Sequence, residues 1–147
     1  MEKKAKALSG NWLIKGTTFP LWLSGKRRQP MISYKLLSVD PLIFLDTVCY
    51  KNQQGKSKTI IGKDTWKQNS FVWRGVGILK VLSSRWSIIA LTETILVIKF
   101  ERSFLTPAGI DVLVKESAQI NEVKQVIADS PQRYGLDLDE VECLAWL

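Results

Sequence analysis

GNWLIKGTTFPLWLSGKRR, residues 10–28, reads as an aromatic-rich strand running into a basic loop. Trp12–Phe19 has the composition of a first strand, and Pro20 interrupts it. The loop that follows contains Gly25 and Pro30 and carries the cluster Lys26, Arg27 and Arg28. The same alternation of short strand and turn continues downstream. Met31–Leu37, Leu42–Lys51, Lys58–Trp66, Phe71–Val81, Arg85–Leu91, Thr94–Glu101 and Ile110–Lys115 follow as expected strands. Asp40-Pro41, Asn52-Gln53-Gln54-Gly55, Asn69-Ser70 and Thr106-Pro107-Ala108-Gly109 punctuate them. Strands at roughly ten-residue intervals, with no helical pattern between them, predict a mainly β fold. About eight antiparallel strands so spaced read as a sandwich or a barrel.

Side-chain alternation supports strands but does not by itself choose the inner face. Phe71, Trp73, Gly75, Gly77, Leu79 and Val81 share one face of the fifth strand, and Thr94, Leu96, Ile98 and Phe100 one face of the seventh. Val72, Val76, Ile78, Ile95 and Val97 make the opposite faces apolar too. A sheet apolar on both sides needs cover, from a helix or from another subunit. Gly75 and Gly77 imply sharp curvature or room for a ligand.

The period changes after residue 116. Ile120, Val123, Val126 and Ile127 recur at helical spacing over Ala118–Asp129, and Ser130-Pro131 ends that helix. Asp137 and Glu140 form a capping-box pattern before a second short helix, which Trp146 and Leu147 extend. One domain over 1–147 is expected, with the barrel at about 8–116 and a helical C-terminal segment at about 117–147.

Composition places the chain among globular proteins, at 46% hydrophobic and 24% charged residues. The net charge of +7 is unevenly spread: windows 1–35, 36–110 and 111–147 carry +7, +5 and −5. The barrel region is basic and the tail acidic, a field that attracts anions, acidic partners or an anionic membrane face. Cys49 and Cys143 form no disulfide framework and read as buried free thiols in a reducing compartment. No apolar run approaches the roughly 20 residues that span a bilayer, and none of signal-peptide length follows the lysines of Met1–Leu8. The expectation is a cytoplasmic protein without a transmembrane segment.

Gly10-Asn11-Trp12, opening the first strand, resembles the entry motif of the lipocalins, within the wider lipocalin and fatty-acid-binding (calycin) barrel class. The chain is also similar to that class in length, in its eight candidate strands and in having a helix after them, and the resemblance implies a lipocalin-like, antiparallel up-and-down barrel of about eight strands with C-terminal helices. The resemblance implies that Gly10 and Trp12 close the barrel floor and that an arginine crosses the tryptophan ring, with Arg102 as the candidate. It also implies that the long first loop borders the open end. Trp22, Lys26, Arg27 and Arg28 would then line the mouth.

The chain has no histidine. This removes Ser-His-Asp and Cys-His catalysis and every histidine-ligated metal or haem site. No metal site and no cofactor are expected. Asp46, Asp64, Glu93, Glu101 and Asp111 lie in or beside strands. Convergent carboxylates in one cavity would do acid–base work, while dispersed ones would be structural. The hairpin through Gln54 places position 46 opposite about 62, so Asp46 and Asp64 are near neighbours. Arg74 and Lys80 lie on the strand face opposite Trp73. Facing inward, either would hold the carboxylate of a ligand, with Tyr50 adding a hydroxyl. Facing outward, they are solvated stems.

The leading expectation is non-catalytic binding of a small hydrophobic or amphipathic ligand, anionic if the cations face inward. Arg74, Lys80, Tyr50 and Trp73 are the candidate ligand-binding residues. Three alternatives stand beside it. One is a packed barrel serving interaction or structure, with an oligomer interface. Another is a carboxylate-dependent isomerase-like or dehydratase-like enzyme. The last is nucleic-acid binding through the basic surface, where Lys3, Lys4 and Lys6 join the loop cluster.

Overall fold

The computed structural model describes residues 1–103, 107–118 and 120–147. Its eight principal strands are β1 (Gly10–Thr17), β2 (Arg28–Val39), β3 (Leu42–Lys51), β4 (Ser57–Lys67), β5 (Ser70–Gly75), β6 (Ser83–Leu91), β7 (Ile95–Phe100) and β8 (Gly109–Lys115). Each pairs antiparallel with the next, and β1 pairs with both β8 and β2, closing the barrel. Four short helices accompany them: α1 (Glu2–Leu8), α2 (Pro20–Leu23), α3 (Val123–Asp129) and α4 (Leu138–Cys143). Among the described residues, no helix is long and apolar enough to cross a membrane.

Strict up-and-down order fixes the two ends. Residues 1–9, 68–69 and 92–94 meet at one end, the floor. Residues 18–27, 52–56 and 76–82 meet at the other, the mouth.

The period of two sorts the side chains. Trp12 and Ile14 of β1, Ile32 and Tyr34 of β2, Phe44 of β3, Phe71 of β5, Trp86 of β6, Leu96 and Ile98 of β7 and Leu113 of β8 fill the interior. The outer faces of β7 and β8 are apolar because the C-terminal segment covers them. Ile95, Val97, Ile110, Val112 and Val114 pack against Val123, Ile127, Tyr134, Leu136 and Leu144. The cover that the two-sided strands require therefore comes from this chain.

Several boundaries differ from expectation for physical reasons. The fifth strand ends at Gly75 instead of running to Val81, and Gly77–Val81 forms a 3-10 turn. Gly77 has φ of +62°, and the backbone of Leu79 folds back into the space a side chain on Gly75 would need. The glycines thus mark a chain reversal, neither a curved strand nor ligand space. Glu2–Leu8, not expected as an element, forms a helix, as Ala5 and Leu8 seal the floor. The helix expected from Ala118 begins only at Val123, after a 3-10 turn at Glu116–Ala118. Thr106 of the expected Thr106–Gly109 turn and Gln119 of that helix lie outside the described residues.

The capping box at Asp137 and Glu140 forms as predicted. Trp146 and Leu147, expected to extend α4, instead contribute a ninth short strand, β9 (Ala145–Trp146), along β1. Strand β2 pairs only with Gly10–Leu13, which leaves the mouth half of β1 with unpaired backbone groups. Strand β9 takes that edge, and the Leu147 N–H donates to Lys15 O at 2.8 Å. Gly16 has no side chain where the Trp146 ring lies. Neither thiol is buried: Cys49 is half-buried and Cys143 exposed.

Candidate functional site

The barrel interior is a run of touching aromatic rings. Trp66 meets Phe71 at 4.9 Å between centroids, and Phe71 stacks on Trp86 at 4.6 Å. Trp86 meets Phe100 at 6.3 Å, and Phe100 meets Phe19 at 5.4 Å. The chain of rings runs from floor to mouth. Tyr34 and Phe44 flank it, 5.7 Å from Trp86 and 5.9 Å from Phe71 respectively.

Three carboxyl groups are set into this aromatic shell. Asp46, Asp64 and Asp111 are all buried. Phe44 pairs with Asp64 and Asp46 with Gly62 across β3 and β4, so the two acids are diagonal neighbours on the inner face. The indole N–H of Trp86 donates to Asp64 Oδ1 at 2.9 Å. Asp46 Oδ1 and Asp64 Oδ2 are buried with no hydrogen-bond partner among the described residues. Burial pushes both carboxyls above the usual range, and for Asp64 the charge of Asp46 adds to the shift. Burial and these same acids push the Tyr34 phenol upward as well.

Asp111 lies nearer the mouth on β8. Burial raises it to about 7, opposed by the Thr17 hydroxyl, which donates to Asp111 Oδ1 at 2.6 Å. No Lys or Arg is among the buried described residues. The interior thus offers aromatic faces and three buried carboxyls that burial pushes towards the neutral form, two of them with an oxygen that has no partner. Among the described residues no Cys, Asp and Glu cluster could hold a metal ion.

The mouth is covered by residues 18–28. Trp22, on α2, is only 7% exposed and meets Tyr50 edge-on at 6.1 Å. The Arg27 guanidinium lies 5.5 Å from the Tyr50 ring. Lys26 and Arg28 are exposed, and Arg28 Nε donates to Gly25 O at 3.2 Å. Arg28 already belongs to β2, so the basic cluster straddles the loop end.

The remaining sequence candidates divide. Tyr50 and Trp73 pack against the interior cluster, and Trp73 crosses Gly62, where a side chain would collide with it. Arg74 and Lys80 point outward and are exposed, with Arg74 Nη1 donating to Lys80 O at 3.1 Å. The inward alternative for these cations is thereby corrected: once Trp73 faces in, strand parity turns Arg74 out.

At the floor, Gly10 adopts φ of +119° and Trp12 is fully buried. The cation over Trp12 is Lys115, at 4.6 Å, not Arg102. Trp12 pairs with Lys115 in register. Arg102 follows the mouth end of β7 and is exposed. Lys115 and Tyr34 escaped sequence reasoning. The available signal was parity, since each sits two positions from an inward apolar residue.

An open cleft of about 1020 Å³ lies outside the floor, between the lysines of α1 and Trp66, Ile88 and Leu91. Lys4 Nζ stands 3.6 Å over the Trp66 ring there.

No protein-family model matches the chain, and no curated protein matches it. Solved structures do. Lobster apocrustacyanin A1 superposes with a TM-score of 0.68 at 7% identity, over 99% of this chain and 79% of that one. The bovine lipocalin allergen Bos d 2 gives 0.61 at 12% identity, over 97% and 93%. A deswapped triple mutant of bovine odorant-binding protein gives 0.57 at 15% identity, over 95% and 93%. The chain has a lipocalin-type fold, with its own aromatic and acidic filling.

Proposed function

We propose that the barrel takes up a small hydrophobic molecule carrying a hydrogen-bond donor, and holds it without transforming it. The observation that carries this reading is the Asp46–Asp64 pair, two buried carboxyls with unpartnered oxygens set in a shell of rings. Ligand sites combine apolar walls with a few placed polar groups in this way. The likeness to an odorant-binding protein supports the class of ligand. An anionic ligand is disfavoured, because the buried ionisable groups of the interior are Asp46, Asp64, Asp111 and Tyr34, while Arg74 and Lys80 face solvent. Entry is through the mouth, where Phe19 and Trp22 must swing aside and Phe100 must turn.

The test is a titration with two probes of matched shape, 1-aminoanthracene and anthracene-1-carboxylate, read by quenching of tryptophan emission. The amine is expected to quench saturably, with the carboxylate at least about tenfold weaker. Asp64→Asn is expected to erase that preference. The stacking of Phe71 on Trp86 favours a second reading, a permanently packed barrel used for interaction. A flat response to both probes would establish that reading instead.

A further inference from the structure

The two most exposed large apolar residues of the described chain are neighbours in one turn. Ile78 is 93% and Val81 81% exposed. Their exposure is built in by the local hydrogen bonds. Gly75 N–H donates to Leu82 O at 3.2 Å, Leu79 N–H to Val76 O at 3.1 Å and Leu82 N–H to Leu79 O at 2.9 Å. Leu79 turns back onto Gly75, and the Arg74 guanidinium clamps Lys80 O. The 3-10 turn is thus held shut while Ile78 and Val81 project from it.

The stretch of chain on either side of the turn carries almost one sign of charge. Residues 47–92 hold eight Lys or Arg and a single acid, Asp64, which is buried inside the barrel. Lys63, Lys67, Arg74 and Lys80 line a groove of about 380 Å³ directly beside the turn. Strand order places the turn at the mouth end, with the hairpin bearing Lys56 and the loop bearing exposed Leu21, Leu23 and Lys26.

We propose that this turn docks the mouth end of the barrel onto an anionic lipid bilayer. Ile78 and Val81 enter the interfacial region, and Arg74, Lys80 and their neighbours face the phosphate headgroups. Apolar side chains combined with a basic surface are the pairing that holds proteins at such interfaces. The geometry favours a membrane over other partners. Two isolated projecting side chains suit insertion, whereas a protein interface of standard size needs a broad contiguous patch. Aliphatic tips offer nothing to stack on nucleic acid bases. The docking requires no particular barrel occupant, so it stands or falls apart from the ligand reading above.

The experiment is co-sedimentation with phosphatidylcholine vesicles, with and without phosphatidylserine. The protein is expected to sediment only with the serine-containing vesicles and to be released by high salt, as screened charges let go. The double variant Ile78→Ser/Val81→Ser is expected to bind at least about tenfold more weakly. Its thermal unfolding should match the parent, since neither side chain is buried. Lys80→Glu should weaken binding while leaving both apolar tips in place. Undiminished binding by the double variant would overturn the proposal. So would a parent protein that stays in the supernatant with serine-containing vesicles at low salt. A parent dimer that the double variant dissolves would assign the turn to self-association instead. An oligonucleotide bound equally by parent and double variant, with no vesicle binding, would assign the charge to nucleic acid.

Discussion

The floor and the mouth of this barrel are closed by different physics. At the floor, the Trp12 indole N–H donates to Leu8 O at 2.8 Å, and Lys115 Nζ donates to Ser9 O at 2.6 Å while lying over the Trp12 ring. A helix of seven residues buries Ala5 and Leu8 there. At the mouth, a helix of four residues presents Trp22 edge-on to Tyr50, and Arg27 rests over that ring. Directional hydrogen bonds tie the floor rings to backbone, whereas the mouth is closed chiefly by ring edges. A ring edge contributes about 1 kcal/mol and is replaceable by a ligand's own surface. A buried indole stripped of its acceptor is not so easily compensated. The mouth is therefore the less firmly tied of the two ends.

The sharpest way to break this contrast is to remove one tryptophan from each end. Trp12→Ala is expected to cost about 3–5 kcal/mol, because it empties a closed site and orphans the Leu8 carbonyl. Trp22→Ala is expected to cost about 2 kcal/mol, because the space it leaves opens to solvent and holds no sealed cavity. Urea unfolding followed by circular dichroism measures both. Equal costs would mean that the mouth is sealed as firmly as the floor.

The next effect is one of pH, and it tests the mouth-side acid. The folded-state value for Asp111 is about 7, against an ordinary carboxyl value of 3.8. The folded protein therefore binds the Asp111 proton more tightly than the unfolded chain does. The stability this contributes is fully present below about pH 4, falls as pH rises towards 7 and is gone above it. The loss is on the order of a few kcal/mol. Asp111→Asn keeps an acceptor for the Thr17 hydroxyl and should flatten that part of the profile, leaving the variant more stable than the parent at pH 8. Denaturant midpoints at pH 4, 6 and 8 decide it, and parallel profiles for parent and variant would show that Asp111 does not carry the proton.

Much of this architecture was legible because strands advertise themselves by period and turn chemistry. The hairpin through Gln54 placed position 46 opposite 62, and the register of β3 and β4 agrees. That register brings Asp46 and Asp64 together, which was weighed from sequence. Inward and outward faces were illegible, since both sides of β5 and β7 are apolar. Parity becomes decisive only once the C-terminal segment is seen covering Ile95 and Val97. The same blindness left Arg74 and Lys80 undecided. Gly75 and Gly77 read as strand residues because sequence alone does not show Leu79 folding back. Trp146 and Leu147 read as helix because the empty edge of β1 is a property of barrel closure, which no local pattern carries.

The smallest expected effect separates the two candidate floor cations. Lys115→Met keeps an apolar stem against Trp12 but deletes both the charge over its ring and the bond to Ser9 O. Lys115 is only half-buried, so the expected cost is about 1 kcal/mol and should shrink at high salt. Arg102→Met removes an exposed charge at the opposite end, and its cost should stay within about 0.5 kcal/mol. Arg27→Met at the mouth should likewise cost less than Lys115→Met, since its ring contact is longer, at 5.5 Å against 4.6 Å. Thermal unfolding at low and high salt ranks the three variants. An Arg102→Met cost equal to that of Lys115→Met would return the floor to the arginine, and with it the sequence-based expectation that the geometry corrects.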